Sequence, residues 1–189
     1  MTNILRLDEI NLSNIVFHEP ENNIINIQPI LFETPKLYCI DEIIDVNSKY
    51  ITHELLVTLK EKNEEKNGIM KNFLNNLEKK IIMEGKKYSL KKYQSIIREV
   101  EDDSENYQNG VIKIKFIKNK NFHTLVFDEE NKLITQNDYS MLFTGDIVVK
   151  MILEISSFWI KEGIYGIYLK LHQIKVYKIK QDIEYILSD

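Results

Sequence analysis

Tyr168, Lys170 and His172 alternate with Ile167, Leu169 and Leu171. That two-residue period marks a strand with one apolar face and one face carrying a ring, an ammonium and an imidazole. Upstream, Lys113 and Lys115 alternate with Ile112, Ile114 and Phe116, and Lys118 and Lys120 follow, with Phe122 and His123 in a turn. A planar ring can stack on another planar ring, and a lysine can neutralise a phosphate, so this set suits an unpaired strand of nucleic acid. After His172 the apolar phase moves from odd positions to Ile174 and Val176. The shift predicts a β-bulge at His172–Gln173, which carries Lys175 and Tyr177 onto the same polar face. The only tryptophan, Trp159, follows Phe158; one of the pair is expected in the core and the other partly exposed. The same alternation also fits a half-buried antiparallel hairpin with a merely solvated polar face, and that reading stays open.

Other chemistry finds little support. His18, His53, His123 and His172 are far apart in sequence, and none has Cys39 or another ligand at a metal-binding spacing. The six glycines are isolated, so no phosphate-cradling loop is expected, and no nucleophile elbow or Cys–His pair is present. The acidic run Glu99–Glu105 lacks the spaced glycine of a calcium loop. We therefore expect no catalytic residues, no metal and no cofactor. One cysteine excludes an internal disulfide and fits a reducing compartment.

The chain has 189 residues and a net charge of −4, a balance that disfavours polyanion binding until it is mapped. Residues 111–180 hold 11 Lys against 7 acids, residues 1–110 hold 14 Lys or Arg against 19 acids, and residues 181–189 hold three acids and no cation. A basic half, an acidic half and an acidic tip fit a protein that meets polyanions on one face. No signal peptide is expected at MTNILRLDEINLSN, and no apolar run is long enough to span a membrane.

These residues need strands to position them. Strands are expected at Asn14–Phe17, Ile24–Ile30, Ile51–Leu59 and Val111–Ile117, with Pro35 setting a bend or strand edge. A hairpin is expected at Thr124–Phe127 and Lys132–Ile134 around the turn Asp128–Asn131. Asp138–Gly145 reads as a loop before two long strands joined at Lys161-Glu162-Gly163. Met70, Phe73, Leu74, Leu77 and Ile81 fall at helical spacing, with Asn67 or Gly68 as the start and Gly85 as the end. Leu90, Tyr93, Ile96 and Ile97 suggest a second short helix after Ser89. The outline is mainly β, a single domain over 1–189 with a helical insertion at about 69–98 and a short acidic tail at 181–189.

The order of these pieces resembles the phage-type single-stranded DNA-binding proteins of nucleocytoplasmic large DNA viruses. The resemblance runs over about residues 30–178: FETPKL, FLNNLEKKII, VIKIKFI, VFDEENKLI, and most specifically Gly145 with VVKMILEISSFWI and YGIYLKLHQIKVY. It implies an OB-like five-stranded barrel with extra N-terminal strands and a non-enzymatic protein that coats single-stranded DNA in viral replication, recombination or repair. Stacking would fall to Tyr168, Tyr177, Phe122 and Trp159, and phosphate contacts to Lys113, Lys115, Lys150, Lys170 and Lys175, with Lys118, Lys120 and His172 alongside. It further implies replication proteins as partners of the acidic C-terminus, self-association, and residence in an infected-cell replication compartment or the virion. Two alternatives remain: a β-barrel structural or scaffold protein of a virus particle, and an OB-type accessory subunit of a polymerase or nuclease.

Overall fold

The computed structural model describes residues 3–40, 43–61, 68–99 and 109–179. In chain order the first strands are β1 (Ile4–Arg6), β2 (Ile24–Glu33), β3 (Leu37–Cys39), β4 (Ile44–Asp45) and β5 (Ile51–Glu61). Helix α1 (Ile69–Lys87) separates them from β6 (Lys92–Tyr93), β7 (Val111–Ile117) and β8 (Leu125–Phe127). A short helix α2 (Tyr139–Leu142) precedes β9 (Ile147–Lys161) and β10 (Ile164–Lys178).

The β9–β10 hairpin is the spine. Its Val- and Ile-rich strands pair antiparallel from Lys161↔Ile164 to Ile147↔Lys178. Glu162 and Gly163 turn the chain with φ of 53° and 83°, the paired positive angles that match the twist of a two-residue hairpin. Register shifts fall at Tyr168/Leu169 and at Leu171/Gln173; the second is the bulge expected at His172–Gln173. On its other edge β9 takes β2 and then β3, and the chain steps between them at Thr34-Pro35-Lys36. Pro35 has no N–H to give a ladder, and Thr34 fills the gap: its N–H donates to the Met151 carbonyl, and its Oγ1 accepts from the Met151 N–H, each at 2.9 Å. From β3 the sheet continues to β5 and then β7, which curls back beside β10.

The result is mainly β, as expected, but among the described residues ten strands join the sheet, more than a five-stranded barrel with extra N-terminal strands requires. Of the additions, β1, β3, β4 and β6 are two- and three-residue strands too short to show a period in sequence, whereas β8 is the first arm of the expected hairpin, with Phe127 bridging Leu133. Helix α1 packs Met70, Phe73, Leu74, Leu77 and Ile81 against the core formed by Phe32, Phe158, Leu171 and their neighbours. Its Gly85 does not end the helix; a Cβ there would stand 2.5 Å from the Tyr165 ring, so the glycine allows helix and sheet to touch. Ser89, at φ 56°, makes the left-handed exit. No described helix is long and apolar enough to cross a membrane.

Three expected elements differ. Residues 90–97 form no second helix but a strap, with β6 lying parallel to Ile164–Tyr165. The buried Glu78 carboxylate accepts from Tyr93 Oη (3.0 Å), Ser95 Oγ (2.9 Å) and the Ile96 N–H (2.9 Å), and the Gln94 N–H donates to the Tyr165 carbonyl. These bonds draw the backbone out straight while Tyr93, Ile96 and Ile97 still reach the core. In place of a strand at Asn14–Phe17, Leu12–Asn14 form a 3-10 turn capped by Asn11, and only Phe17 bridges, to Ile27. Within Asp138–Gly145, helix α2 replaces the loop because Tyr139 and Phe143 are buried one turn apart against Phe116.

Candidate nucleic-acid interface

The two edges of β10 are not equivalent. Away from β9, the strand is laddered only near its ends, by β6 at Ile164–Tyr165 and by β8 at Gln173–Lys175. Among the described residues no ladder joins its middle to β7, although the two strands lie side by side. The seam is closed at one end by the strap, where Arg98 bridges Val111. At the other end the buried Thr124 Oγ1 accepts from the Ile117 N–H and donates to the Leu171 carbonyl, both at 3.0 Å. Between them opens a cleft of about 260 Å³ whose chemistry comes from Arg98, Lys113, Lys115, Trp159 and Tyr168.

Trp159 reaches this cleft because its register partner on β10 is Gly166. A Cβ at Gly166 would lie 2.8 Å from Trp159 Cζ2 and 3.0 Å from the Gln94 carbonyl. The missing side chain lets the indole lie across β10 to the strap. Phe158 is fully buried while Trp159 is half-buried, which divides the pair as expected. Tyr168 is 41% exposed, a large ring left at the seam. Lys113 and Lys115 share the outward face of β7; Glu54 on β5 lies opposite Lys115 in register and pairs with Lys113.

Further along β10, Phe122, Lys170 and His172 come together. Lys170 Nζ lies 4.1 Å from the Phe122 ring centroid, and the His172 ring meets Phe122 edge-to-face at 5.0 Å. Phe122 is delivered by a tight turn in which Asn119 Oδ1 accepts from the N–H groups of Asn121 and Phe122. Glu154 sits beneath the cluster, 2.6 Å from His172 Nε2 and 3.8 Å from Lys170 Nζ. Burial pushes its carboxyl up, but hydrogen bonds from Ser156 and His172 and the charge of Lys170 outweigh that and hold it below its ordinary value.

Beyond the bulge a second cleft, of about 290 Å³, is lined by Lys150, Lys175, Tyr177, Glu33 and Asn131. Lys150 and Lys175 face each other in register. Glu33 pairs with Lys150 at 2.7 Å, and Asn131 accepts from Lys175 at 2.6 Å. Lys36 Nζ lies 3.8 Å from the Tyr177 ring centroid, so this ring already carries a cation on its face.

The structure thus gathers Lys113, Lys115, Trp159, Tyr168, Phe122, Lys170, His172, Lys150, Lys175 and Tyr177 in sequence along the β10 face. From Tyr168 to Tyr177 the row is roughly 30 Å long at ~3.3 Å per residue. Lys118 and Lys120 are exposed but are not gathered into this row: Lys118 lines a separate cleft with Thr135 and Tyr139, its Nζ donating to Gln136 at 3.4 Å. Sequence reasoning missed Arg98, Lys36, Lys92 and Lys161. Lys92 and Lys161 flank Ile164 in one cross-strand row at the hairpin tip; only the register discloses that. The tail 181–189 and most of the acidic run after Glu99 lie outside the described residues. Among the described residues no three His, Cys, Asp or Glu side chains converge as metal ligands.

No protein-family model matches the sequence, and no curated protein is similar to it at a significant level. Solved structures do match in fold. The single-stranded DNA-binding protein from bacteriophage Enc34 matches with a TM-score of 0.53 and 11% identity, over 93% of this chain and 96% of that one. Its C-terminal truncation gives 0.54 and 11% identity, over 89% and 98%. Gp2.5, a single-stranded DNA-binding protein encoded by bacteriophage T7, gives 0.52 and 13%, over 84% and 97%. The chain therefore has the fold of these phage single-stranded DNA-binding proteins.

Proposed function

We propose that this protein is a non-enzymatic single-stranded DNA-binding protein that lays a strand along the outward face of β10. The observation that carries this reading is the open seam, where Trp159 lies over Gly166 beside the exposed Tyr168 and lysines line the rim. The likeness in fold to the phage proteins supports it. In this reading bases stack on Trp159 and Tyr168, and on Phe122 where the strand displaces Lys170. Phosphates run past Lys92, Lys161, Arg98, Lys113, Lys115, Lys118, Lys120, Lys150, Lys170, His172 and Lys175. The protein would coat strands exposed during viral DNA replication, recombination or repair, self-associating along the strand. The virus would be a nucleocytoplasmic large DNA virus, and the acids Asp182, Glu184 and Asp189 would meet replication proteins. The site of action would be the infected-cell replication compartment or the virion.

The test is titration of a fluorescent oligo-dT at two salt concentrations, with duplex as competitor. Three to five lysines displacing counterions give a slope of log affinity on log salt of about −2 to −4, at roughly −0.7 per phosphate. Equal affinity for duplex, or a flat salt response, would overturn the proposal.

A further inference from the structure

Three of the lysines along the proposed path are already bonded to carboxylates, each from a different neighbouring strand. Lys113 meets Glu54 of β5, Lys150 meets Glu33 of β2 at 2.7 Å, and Lys170 meets Glu154 of β9 at 3.8 Å, where His172 joins at 2.6 Å. In each pair neither side chain is fully buried. The lysines are 28–35% exposed, and Glu33, at 42%, is the most open of the acids. Phosphate can therefore reach every lysine, but it arrives at a site that holds an anion. Glu54 also stands in register opposite Lys115, so a single carboxylate bears on two cations of the seam. None of the three acids belongs to the apolar core, and each meets a lysine on the polar face.

We propose that Glu33, Glu54 and Glu154 are built-in phosphate competitors that lower affinity for single strands and so keep binding reversible. This inference rests on the proposed function. A phosphate that displaces a carboxylate must share its lysine with an anion that stays beside it, so the net attraction is smaller than the lysines alone would give.

The experiment compares the intact protein with Glu33→Gln, Glu54→Gln, Glu154→Gln and the triple variant, using oligo-dT in the same two-salt titration. Glutamine keeps shape and hydrogen-bonding capacity but removes the charge. Ion pairs that keep partial contact with water couple weakly, so each single change should tighten binding roughly two- to fivefold at low salt. The triple variant should gain roughly tenfold or more, with a steeper salt dependence by up to about 0.7 per carboxylate removed. A merely structural role would lower the melting temperature and leave the salt slope unmoved. Unchanged or weaker binding by variants that melt like the intact protein overturns the inference while leaving the proposed function standing. Binding by the triple variant alone supports it in a stronger form. No binding by any of the proteins overturns the proposed function and this inference together.

Discussion

One edge of β10 is laddered to β9 along its length, and the other is stitched at two places with a cleft between. On the laddered side β9 carries Leu153, Ile155 and Phe158 into the core. The stitched edge holds the aromatic and basic groups that the core does not need. A barrel that left no edge would protect its backbone better, yet it would leave no cleft for Trp159 and Tyr168 to line. Rigidity on one side lets the other stay open, because β10 cannot drift while it is paired to β9.

The largest effect expected from breaking this contrast is on the laddered side. Phe158→Ala removes a fully buried ring that packs on Phe17 and Tyr165, at a cost of about 3–5 kcal/mol. Chemical denaturation should show that loss, with binding failing only where the protein unfolds. Next is the stitch. Glu78→Ala leaves the half-buried Tyr93 Oη and Ile96 N–H without their acceptor, while the exposed Ser95 Oγ can turn to water. About 2–4 kcal/mol should be lost, toward the low end of ~1–3 kcal/mol per unsatisfied group. Hydrogen exchange should rise first in residues 92–98. If exchange there stays slow, the strap is held by something other than Glu78.

How much of this contrast could be read in the sequence depends on how local its causes are. Helix α1, β7, the long hairpin and the bulge after Leu171 each declare themselves through a period or a break in it. The strap does not. Leu90, Tyr93, Ile96 and Ile97 have helical spacing, and the carboxylate that keeps them extended lies 15 to 18 residues upstream. The lysines of the interface were legible as alternating cations on strands. Their carboxylate partners were not, because pairs such as Glu33 with Lys150 exist only once the sheet register is set.

On the open side the changes should be smaller and should separate binding from folding. Gly166→Ala pushes a methyl against the Trp159 indole and the Gln94 carbonyl, costing about 1–3 kcal/mol as overpacking. The indole should move, shifting tryptophan fluorescence and weakening oligo-dT binding. Tyr168→Ala should weaken binding by ~1–3 kcal/mol if the ring stacks on a base, with little change in melting temperature because the ring is 41% exposed. A large drop in melting temperature with unaltered affinity would place Tyr168 with the core instead.

The smallest expected effect probes the far wall of the seam from inside. His53, on β5 opposite Phe116 of β7, is 4% exposed, with its ring against Tyr139 at 5.0 Å and Phe116 at 6.0 Å. Its Nε2 lies 2.8 Å from Asp45, and its Nδ1 is buried with no hydrogen-bond partner among the described residues. Burial lowers its pKa below 6.5, and the nearby Asp45 offsets this only in part. The sign follows from linkage. Below pH 6.5 the unfolded chain takes up a proton that the folded chain still refuses, so the unfolded state binds more protons and stability rises with pH through that window. The contribution of His53 is therefore complete above 6.5 and is lost as pH falls below it. His53→Gln removes the titration. The stability difference between the intact protein and this variant should shrink as pH falls from about 7 to about 5, which comparison of the two proteins isolates from the other histidines. Oligo-dT affinity, measured over the same range, should differ between them by a constant factor, because His53 faces the core and not the strand. A stability difference that grows at low pH would mean the Asp45 pair governs His53, and that the wall behind the open seam is less tightly packed than its ring contacts indicate.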